Sequence, residues 1–600
     1  MKNIALAMSG GGYRAAAFAL GTLSYLDHLK DDEENSLLTR VTFMSSTSGG
    51  SITNIAYSAG LCSGEQFAVI YNRLLAAIDG EKVIKRVFEI LAKDECWKER
   101  PQKSRNLINA FSLAYDELLY PDQYFQLFTD KLKGTHLEEI CVNATEFANG
   151  MSFRFQSQRS DRKNGKVGNF YINFNNTNVA GRLKLSDILA SSSCFPGGFE
   201  PLIFPDDYTH QTLISKELND AINFKDNPFS TGEKPDDIMQ DEEFKENPKR
   251  FGLMDGGIAD NQAIDSILLA SERRSSSGQA PFDLLLITDV TSYLIDGYTL
   301  PLEKKSFMGS ATVNGVIWVL FLLGVLSPLM VGYSLFFGWH KIMYLLLIPA
   351  SIALVVWLFI QYKLIKTRVG ANQDRSTWSL MLLSYGGYFL KLRISALFQM
   401  LTARLKSVMM ITSDIYLKQI RRHYYDQLYN NPATRDLVVA NAIYGLSLAK
   451  QKMITDLPPE QQENQTDEQE EAEKMLVQVA PPSNALIGVA EKARVMATTL
   501  WFDKYQSRDN AKAAIVATGQ FTTCYNLLKH LFEKQLRIRK ADPNAVLDKQ
   551  ESVLVDNLEA DWKKFNADPF WLYNDSGQGQ PLFCPLVAKA DQLTYRVVAK

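Results

Sequence analysis

Residues 3–14 read NIALAMSGGGYR, a short apolar run that ends in three consecutive glycines. The run has the composition of a buried parallel strand, and apolar residues recur at helical spacing over residues 15–29. Residues 41–44 (VTFM) and 282–290 (FDLLLITDV) are further short strand candidates. Strand–turn–helix units in series predict an α/β fold over residues 1–298, with a mostly parallel sheet flanked by helices.

The three glycines Gly10–Gly12, here called the glycine nest, lie between the first predicted strand and the first predicted helix. Consecutive glycines let main-chain amides turn toward a ligand, and the helix N-terminus adds partial positive charge. Such a turn can hold a phosphate or an oxyanion that develops during a reaction. The run lacks the G-x-G-x-x-G spacing, and the chain lacks a G-x-x-x-x-G-K-[ST] loop, so phosphate-loop chemistry has no support.

Residues 46–50 (STSGG) follow a predicted strand and precede a predicted helix. This is the context of a nucleophile elbow, in which a serine lies on a tight turn with its hydroxyl accessible. The usual elbow is G-x-S-x-G; here Ser46 replaces the first glycine, and its small side chain is compatible with the turn. Ser45 and Ser51 are nearby, but only Ser48 has the right offset from the last glycine. Taken alone, the motif is also typical of a serine turn that caps a helix.

Two further segments indicate a catalytic site only when they are considered together with the glycine nest and the elbow. Asp255-Gly256-Gly257 follows a short apolar run and by itself is equally typical of a hairpin turn. Residues 190–201 (ASSSCFPGGFEP) form a Ser- and Pro-containing segment between the elbow and the aspartate.

The order of these four segments resembles that of the patatin-like phospholipases over about residues 1–295, and the nest is also similar to that of the cytosolic phospholipase A2 group. The resemblance implies a patatin-like fold and a Ser–Asp dyad, in which Ser48 attacks an ester carbonyl and Asp255 accepts its proton. Water then releases the acyl group from the enzyme. No metal or cofactor is implied. The amides that the resemblance assigns to the oxyanion are those of Gly10, Gly11, Gly12 and Gly49.

Two assignments stay open at this point. Arg14 either contacts the phosphate of a lipid substrate, as the phospholipase A2 resemblance suggests, or braces the loop by pairing with an acidic residue. None of the six histidines lies in a motif-like setting, which favours a dyad, but a triad through His423 or His530 is the alternative.

Residues 306–339 contain no charged residue, and after His340 and Lys341 the next one is Lys363. Two spans of about 20 residues, the length that crosses a bilayer, predict a transmembrane hairpin over residues 306–365. The spans are residues 315–338 and 342–362.

Lysine and arginine flank both outer ends of this hairpin, which predicts that these ends are cytoplasmic. The N-terminus has no secretory signal pattern. We therefore expect an integral protein of the cell (inner) membrane whose catalytic domain faces the cytoplasm.

The rest of the chain is predicted to be mostly helical. Residues 370–455 form a basic amphipathic region, for which two explanations are open: it lies on anionic headgroups, or it packs on the catalytic core. Residues 456–484 are acidic and poor in apolar residues, so they are predicted to be a disordered linker. Residues 485–600 return to helical periodicity. Residues 231–250 read as an exposed loop, either a lid or a solvated insertion.

The composition, with 46% hydrophobic and 22% charged residues, is typical of a globular protein, and the net charge of −3 gives no sign of nucleic-acid binding. The six cysteines show no metal-ligand or disulfide spacing. The sequence thus predicts a membrane-tethered serine lipid acyl hydrolase of the phospholipase A or lysophospholipase type, whose partners are an acyl-lipid substrate and the membrane. The alternatives are an inactive lipid-binding scaffold and an acyltransferase that uses the same acyl-enzyme.

Overall fold

The computed structural model of the chain divides into two compact units: Met1–Tyr293 with Leu417–Lys600, and Leu294–Tyr416. The structure describes residues 1–147, 149–157, 166–224, 250–291, 298–302, 308–319, 321–322, 355, 391–411, 415–447, 467–496 and 502–576.

A mixed β-sheet forms the centre of the first unit. Its strands are β1 (Ile4–Met8), β2 (Val41–Thr47), β3 (Glu139–Glu146), β4 (Met151–Gln156), β5 (Lys166–Gly168), β6 (Ile172–Phe174), β7 (Leu202–Phe204), β8 (Ile222–Phe224), β9 (Phe251–Asp255), β10 (Leu284–Asp289) and β11 (Val438–Ala442).

The parallel half of the sheet has the strand order β11-β10-β1-β2-β3. Every residue of β1 is buried, as expected for a central strand covered on both faces. Beyond β3 the pairing is antiparallel, because β4 follows β3 after a short turn and short connections join antiparallel neighbours. The predicted α/β fold with a mostly parallel sheet and flanking helices is confirmed, and the carboxyl ends of β1, β2 and β10 meet at one edge.

Helices cover the sheet and continue into the C-terminal region; residues 313–319 are helical as well. The helices with assigned bounds are α1 (Gly12–His28), α2 (Gly49–Cys62), α3 (Phe67–Ala77), α4 (Glu81–Ala92), α5 (Leu107–Leu118), α6 (Gln126–Lys131), α7 (Thr177–Gly181), α8 (Leu185–Ser193), α9 (Ser215–Asp220), α10 (Gly257–Asp260), α11 (Ile264–Ser277), α12 (Ile394–Met410), α13 (Tyr416–Asn430), α14 (Asp467–Val479), α15 (Asn484–Val495), α16 (Lys504–Arg508), α17 (Ala511–Ala541), α18 (Lys549–Ala567) and α19 (Trp571–Ser576).

The C-terminal region shares the core of the predicted catalytic domain rather than standing beside it. Strand β11 pairs in parallel with β10. Helix α17 crosses α1 at two facing glycines: a Cβ on Gly21 would lie 2.1 Å from the carbonyl oxygen of Val516, and one on Gly519 would lie 2.3 Å from that of Phe18. The folding unit that holds the sheet therefore extends well beyond the predicted boundary at residue 298.

Two predicted segments of the C-terminal half differ in the structure. Residues 467–479 of the predicted disordered linker form α14, because Ala472 and Leu476 make a narrow apolar stripe that is buried among acidic neighbours. In the predicted basic region, Arg421 of α13 donates a 2.6 Å hydrogen bond to the buried carboxylate of Asp289 at the end of β10. For α13 the packing explanation is therefore the one realised.

The predicted membrane hairpin lies largely outside the described residues. Of its two spans, only residues 315–319, 321–322 and 355 are described. No helix in the described part of the chain is both long and apolar enough to cross a bilayer. The predicted loop 231–250 also lies outside the described residues, except for Arg250.

Candidate active site

Ser48 stands between β2 and α2, at the carboxyl edge of the parallel sheet. Its backbone has φ 51° and ψ −122°. A residue with a Cβ adopts this positive-φ conformation only under strain. The Ser48 side chain is nearly buried, with 8% relative exposure. This is the strand-to-helix elbow that the STSGG motif predicts.

The two glycines after Ser48 are required by close contacts. A Cβ on Gly49 would lie 1.9 Å from the carbonyl oxygen of Gly12, and one on Gly50 would lie 2.5 Å from that of Met8. The elbow is thus packed directly against the end of β1 and the glycine nest.

The serine that replaces the first elbow glycine points into a buried polar network. The Ser46 hydroxyl accepts hydrogen bonds from the Ser51 hydroxyl at 3.1 Å and the Asn54 amide at 2.9 Å. The Ser45 hydroxyl, a competing candidate in the sequence, donates to the carbonyl of Ala263 at 2.7 Å. Ser46 is therefore accommodated below the turn.

Asp255, at the end of β9, is brought to Ser48. The amide of Gly257 donates a 2.7 Å hydrogen bond to the Asp255 carboxylate, and the Ser48 side chain lies close enough to this carboxylate to affect its pKa. Burial raises the pKa of Asp255 to about 6, although the Ser48 side chain and the Gly257 amide act in the opposite direction. The carboxylate can therefore accept a proton from Ser48 near neutral pH.

The glycine nest lies against Ser48, since a Cβ on Gly10 would be 3.2 Å from the Cβ of Ser48. The Gly10 amide, however, donates to the carbonyl of Asn261 at 2.8 Å, so Gly10 allows close approach without offering a free donor. Gly11 and Gly12 begin α1 and Gly49 begins α2, where amides have no partner within the helix. Of the four predicted donors, these three keep amides available to an oxyanion.

The side chain of Arg14 is buried and braces the loop. Its guanidinium donates to the carbonyl of Val290 at 2.9 Å and also to the carbonyl of Met496. Burial lowers the pKa of Arg14 to about 10, and the nearby Asp289 opposes this shift. Of the two open explanations, this geometry corresponds to bracing, with main-chain carbonyls in place of an acidic partner, and not to a contact with a lipid phosphate.

A residue that the sequence did not single out, Ser192 at the end of α8, joins the two sides of the site. Its hydroxyl accepts a 2.9 Å hydrogen bond from the amide of Ser48, and its carbonyl accepts one from Gly256 at 3.2 Å. The carbonyl of Cys194 accepts from the amide of Asp255 at 2.9 Å. The Ser/Pro segment thus holds Ser48 and Asp255 in one arrangement.

Helix α8 is itself anchored by a buried ionic cluster. Asp187 accepts two hydrogen bonds from Arg100, at 3.0 and 2.9 Å, and one from Lys103 at 2.8 Å. Burial alone would raise the pKa of Asp187, but these two cations hold it below its ordinary value. Because Asp187 lies more than 80 residues from both cations in the sequence, no local motif marks this anchor.

The histidines of the alternative triad have other surroundings. His423 lies 3.0 Å from the amide nitrogen of Gln427, and His530 is buried in α17, where burial lowers its pKa to about 3. Within the described residues, no histidine bonds Ser48 or Asp255. No three His, Cys, Asp or Glu side chains of the same residues are grouped to hold a metal ion.

Comparison with known protein families matches residues 6–268 to the patatin-like phospholipases. The matched range contains the glycine nest, the elbow, the Ser/Pro segment and Asp255. The predicted resemblance is confirmed over this range, and the match supports the predicted enzyme class, a hydrolase of lipid esters. The comparison with curated proteins found no match.

Several solved structures are distantly similar to the chain. Human GIVD cytosolic phospholipase A2 has 15% identity and a TM-score of 0.28, over 48% of this chain and 43% of that one. Its complex with methyl gamma-linolenyl fluorophosphonate has 14% identity and a TM-score of 0.26, over 48% and 39%. VipD from Legionella pneumophila has 10% identity and a TM-score of 0.20, over 94% and 91%. The chain spans less than half of the phospholipase A2 structures, and we base no inference on likenesses this low.

Proposed function

We propose that this chain is a membrane-tethered acyl hydrolase that cleaves carboxylic esters of membrane phospholipids or lysophospholipids through a Ser48–Asp255 dyad. The observation that carries the proposal is the placement of the buried Asp255 carboxylate beside the strained elbow serine. Strain of this kind persists only where the surrounding contacts impose it, and the close contacts of Gly49 and Gly50 do so here.

In the proposed reaction, the Ser48 oxygen attacks the ester carbonyl while its proton passes to Asp255. The amides of Gly11, Gly12 and Gly49 donate to the oxyanion of the tetrahedral intermediate. The intermediate collapses to an acyl-enzyme, and the leaving alcohol takes the proton from Asp255. Water, deprotonated by Asp255, then attacks the acyl-enzyme. The bond between the acyl carbon and the Ser48 oxygen breaks, the Ser48 oxygen takes the proton back from Asp255, and a fatty acid is released.

The proposed tether is the uncharged stretch over residues 306–365, which provides two spans of sufficient length. Basic residues at both outer ends favour a catalytic domain on the cytoplasmic face of the cell (inner) membrane. Tethering supports the proposed activity because it holds the enzyme where its lipid substrate is concentrated.

A fluorophosphonate probe tests the proposal directly. We expect the probe to label detergent-solubilised protein at Ser48, as identified by peptide mass spectrometry, and to stop fatty-acid release from a defined phosphatidylcholine. Folded protein that resists the probe would favour the lipid-binding scaffold. Transfer of the acyl group to an added alcohol in preference to water would favour the acyltransferase.

Activity is expected to rise with pH through about 6, because Asp255 must be ionised to accept the proton and burial raises its pKa to about that value. The measurement is kcat/KM for a neutral ester substrate as a function of pH. A profile that stays flat through this range would contradict the role of Asp255 as base.

Thermal stability provides the control for this pH dependence. A buried carboxyl with a raised pKa contributes most to stability below its unfolded value of 3.8, and this contribution is lost as pH rises through about 6. The contribution of Asp255 to stability therefore falls in the range where activity rises. A melting temperature that climbs in parallel with activity would instead indicate acid unfolding.

Replacing Ser192 by alanine is expected to lower kcat about ten- to a hundredfold, since the buried amide of Ser48 loses its acceptor, a cost of about 1–3 kcal/mol. KM should change little, because Ser192 positions the nucleophile and is not proposed to touch substrate. The rate of fluorophosphonate labelling should fall by the same factor as kcat.

The neighbouring Ser193→Ala variant is the matched control. The Ser193 hydroxyl donates to the carbonyl of Leu189 within α8, so its loss leaves the amide of Ser48 with its acceptor. If both variants lose labelling equally, or if Ser192→Ala loses activity only through a lower melting temperature, the positioning role is wrong.

A further inference from the structure

Helix α12 of the second unit turns its polar side chains toward its own unit. The Ser395 hydroxyl donates to the carbonyl of Gly309 at 2.9 Å, and the Gln399 amide donates to that of Pro301 at 2.8 Å. About two turns further on, the Lys406 ammonium donates to the carbonyl of Thr299 at 3.0 Å. The polar face of α12 is thus the face that packs.

The apolar face of the same helix is exposed. Phe398 is 69% exposed, Leu401 53% and Leu405 66%, and their spacing of three and four residues puts them on one stripe. No residue of α12 is buried. A helix packed on a water-soluble core shows the opposite arrangement, with its apolar stripe covered.

Other apolar side chains of the second unit are exposed as well, including Leu302 at 91% and Trp318 at 61%. More than half of the large apolar side chains exposed in the described residues belong to this unit, although it is the smaller of the two. Clustered exposed apolar surface marks a site of interaction.

The charges around the stripe identify its partner. Lys391 and Arg393 precede α12 and Arg404 lies within it, and all three are exposed. Basic residues bordering an apolar helical stripe match the boundary between anionic headgroups and acyl chains. A helix of 17 residues spans about 26 Å, short of a bilayer core, and Arg404 and Lys406 make a crossing unfavourable.

We propose that the apolar stripe of α12 (Phe398, Leu401 and Leu405) is inserted at the headgroup–acyl boundary of an anionic bilayer. The helix then lies parallel to the membrane surface, as a contact additional to the hairpin. This inference deepens the proposed tether and relies on it for the presence of a membrane beside the second unit.

Photo-crosslinking in nanodiscs tests the contact. The full chain carries p-benzoylphenylalanine at Phe398, a substitution that keeps an aromatic ring, or at Leu401. The nanodiscs contain phosphatidylcholine and phosphatidylglycerol in equal parts, with an alkyne on an acyl chain of a tracer phospholipid. We expect lipid adducts at both positions and several-fold less at Ser407, on the opposite side of α12, where the hydroxyl donates to the carbonyl of Arg404.

Adducts that join α12 to another segment of the chain or to a second copy, or equal lipid labelling at Ser407, would overturn the inference. So would the absence of any adduct at Phe398 and Leu401. Resistance of the protein to carbonate extraction reports on the hairpin, and fluorophosphonate labelling reports on the hydrolase. Failure at α12 is therefore distinguishable from failure of the proposed function.

Discussion

Replacing Ser48 by alanine is expected to lower fatty-acid release from a defined phospholipid by about 10³- to 10⁶-fold, the range observed when a catalytic nucleophile is removed. The proposed acyl-enzyme cannot form without the Ser48 hydroxyl. The neighbouring hydroxyls of Ser45 and Ser51 are engaged with Ala263 and Ser46. The assay is acyl release by purified protein in mixed micelles, with single-turnover sensitivity.

The Ser45→Ala variant is the matched control for this loss, because it also removes a buried hydroxyl near the elbow but leaves the Ser48–Asp255 contact intact. It should retain activity within about tenfold, the cost of one buried hydrogen bond. The Ser48→Ala protein should melt within a few degrees of the wild type. If Ser48→Ala keeps full activity, Ser48 is not the nucleophile.

The residues of the site that could be predicted from sequence are those whose steric constraint produces a short motif. Gly49 and Gly50 are glycines because no side chain fits against the carbonyls of Gly12 and Met8. The serine between strand and helix is recognisable because these glycines follow it directly. The residues that impose the constraint lie in another segment, but the constraint appears in the sequence as a short motif, so the order of motifs predicted which segments the fold brings together.

The remaining contacts of the site depend on partners far away in sequence, and this is why they were not predictable. The amide of Gly10 is engaged by Asn261, and the guanidinium of Arg14 by Val290 and Met496. Ser192 looks like any serine of its run until the fold sets it beside Ser48. An oxyanion donor and a bracing arginine have the same local sequence, and only tertiary packing separates them.

The extent of the folding unit escaped prediction for a related reason. Strand β11 is five residues long and follows a basic helical region, so nothing local marks it as a partner of β10. Helix α14 has only a narrow apolar stripe within an acidic segment, so its composition does not indicate a packed helix. Strand β11 is stabilised by β10, which lies about 150 residues earlier in the chain, and α14 by α17, which follows it.

Ending the chain at Tyr293 is therefore expected to abolish folding, even though this fragment contains all four predicted motifs. The fragment loses β11 and α17, which leaves one edge of β10 unpaired and uncovers the buried face of α1 that packs on α17. Unpaired strand edges and large apolar patches promote aggregation. Soluble yield, circular dichroism and fluorophosphonate labelling of the fragment are the measurements.

A fragment that replaces residues 294–416 by a flexible linker is the matched comparison, since it keeps the whole of the first unit. It should be soluble and react with the probe. If the shorter fragment, ending at Tyr293, folds and reacts equally well, the C-terminal region is not part of the catalytic folding unit.

The crossing of α1 and α17 allows a second test of whether the active site depends on the C-terminal region, in which a substitution adds a single methyl group between the two helices. A Cβ on Gly519 would lie 2.3 Å from the carbonyl oxygen of Phe18, so Gly519→Ala is expected to destabilise the full chain by about 1–3 kcal/mol. Gly488 in α15 has nothing within 4 Å of the corresponding position, so Gly488→Ala should stabilise by about 0.4–1 kcal/mol. Urea unfolding is monitored by loss of fluorophosphonate labelling, which reports on stability and on the reactivity of Ser48 together. The Gly519→Ala protein should stop reacting with the probe at a lower urea concentration than the wild type. Equal shifts for both variants would mean that α17 does not pack closely enough on α1 to support the active site.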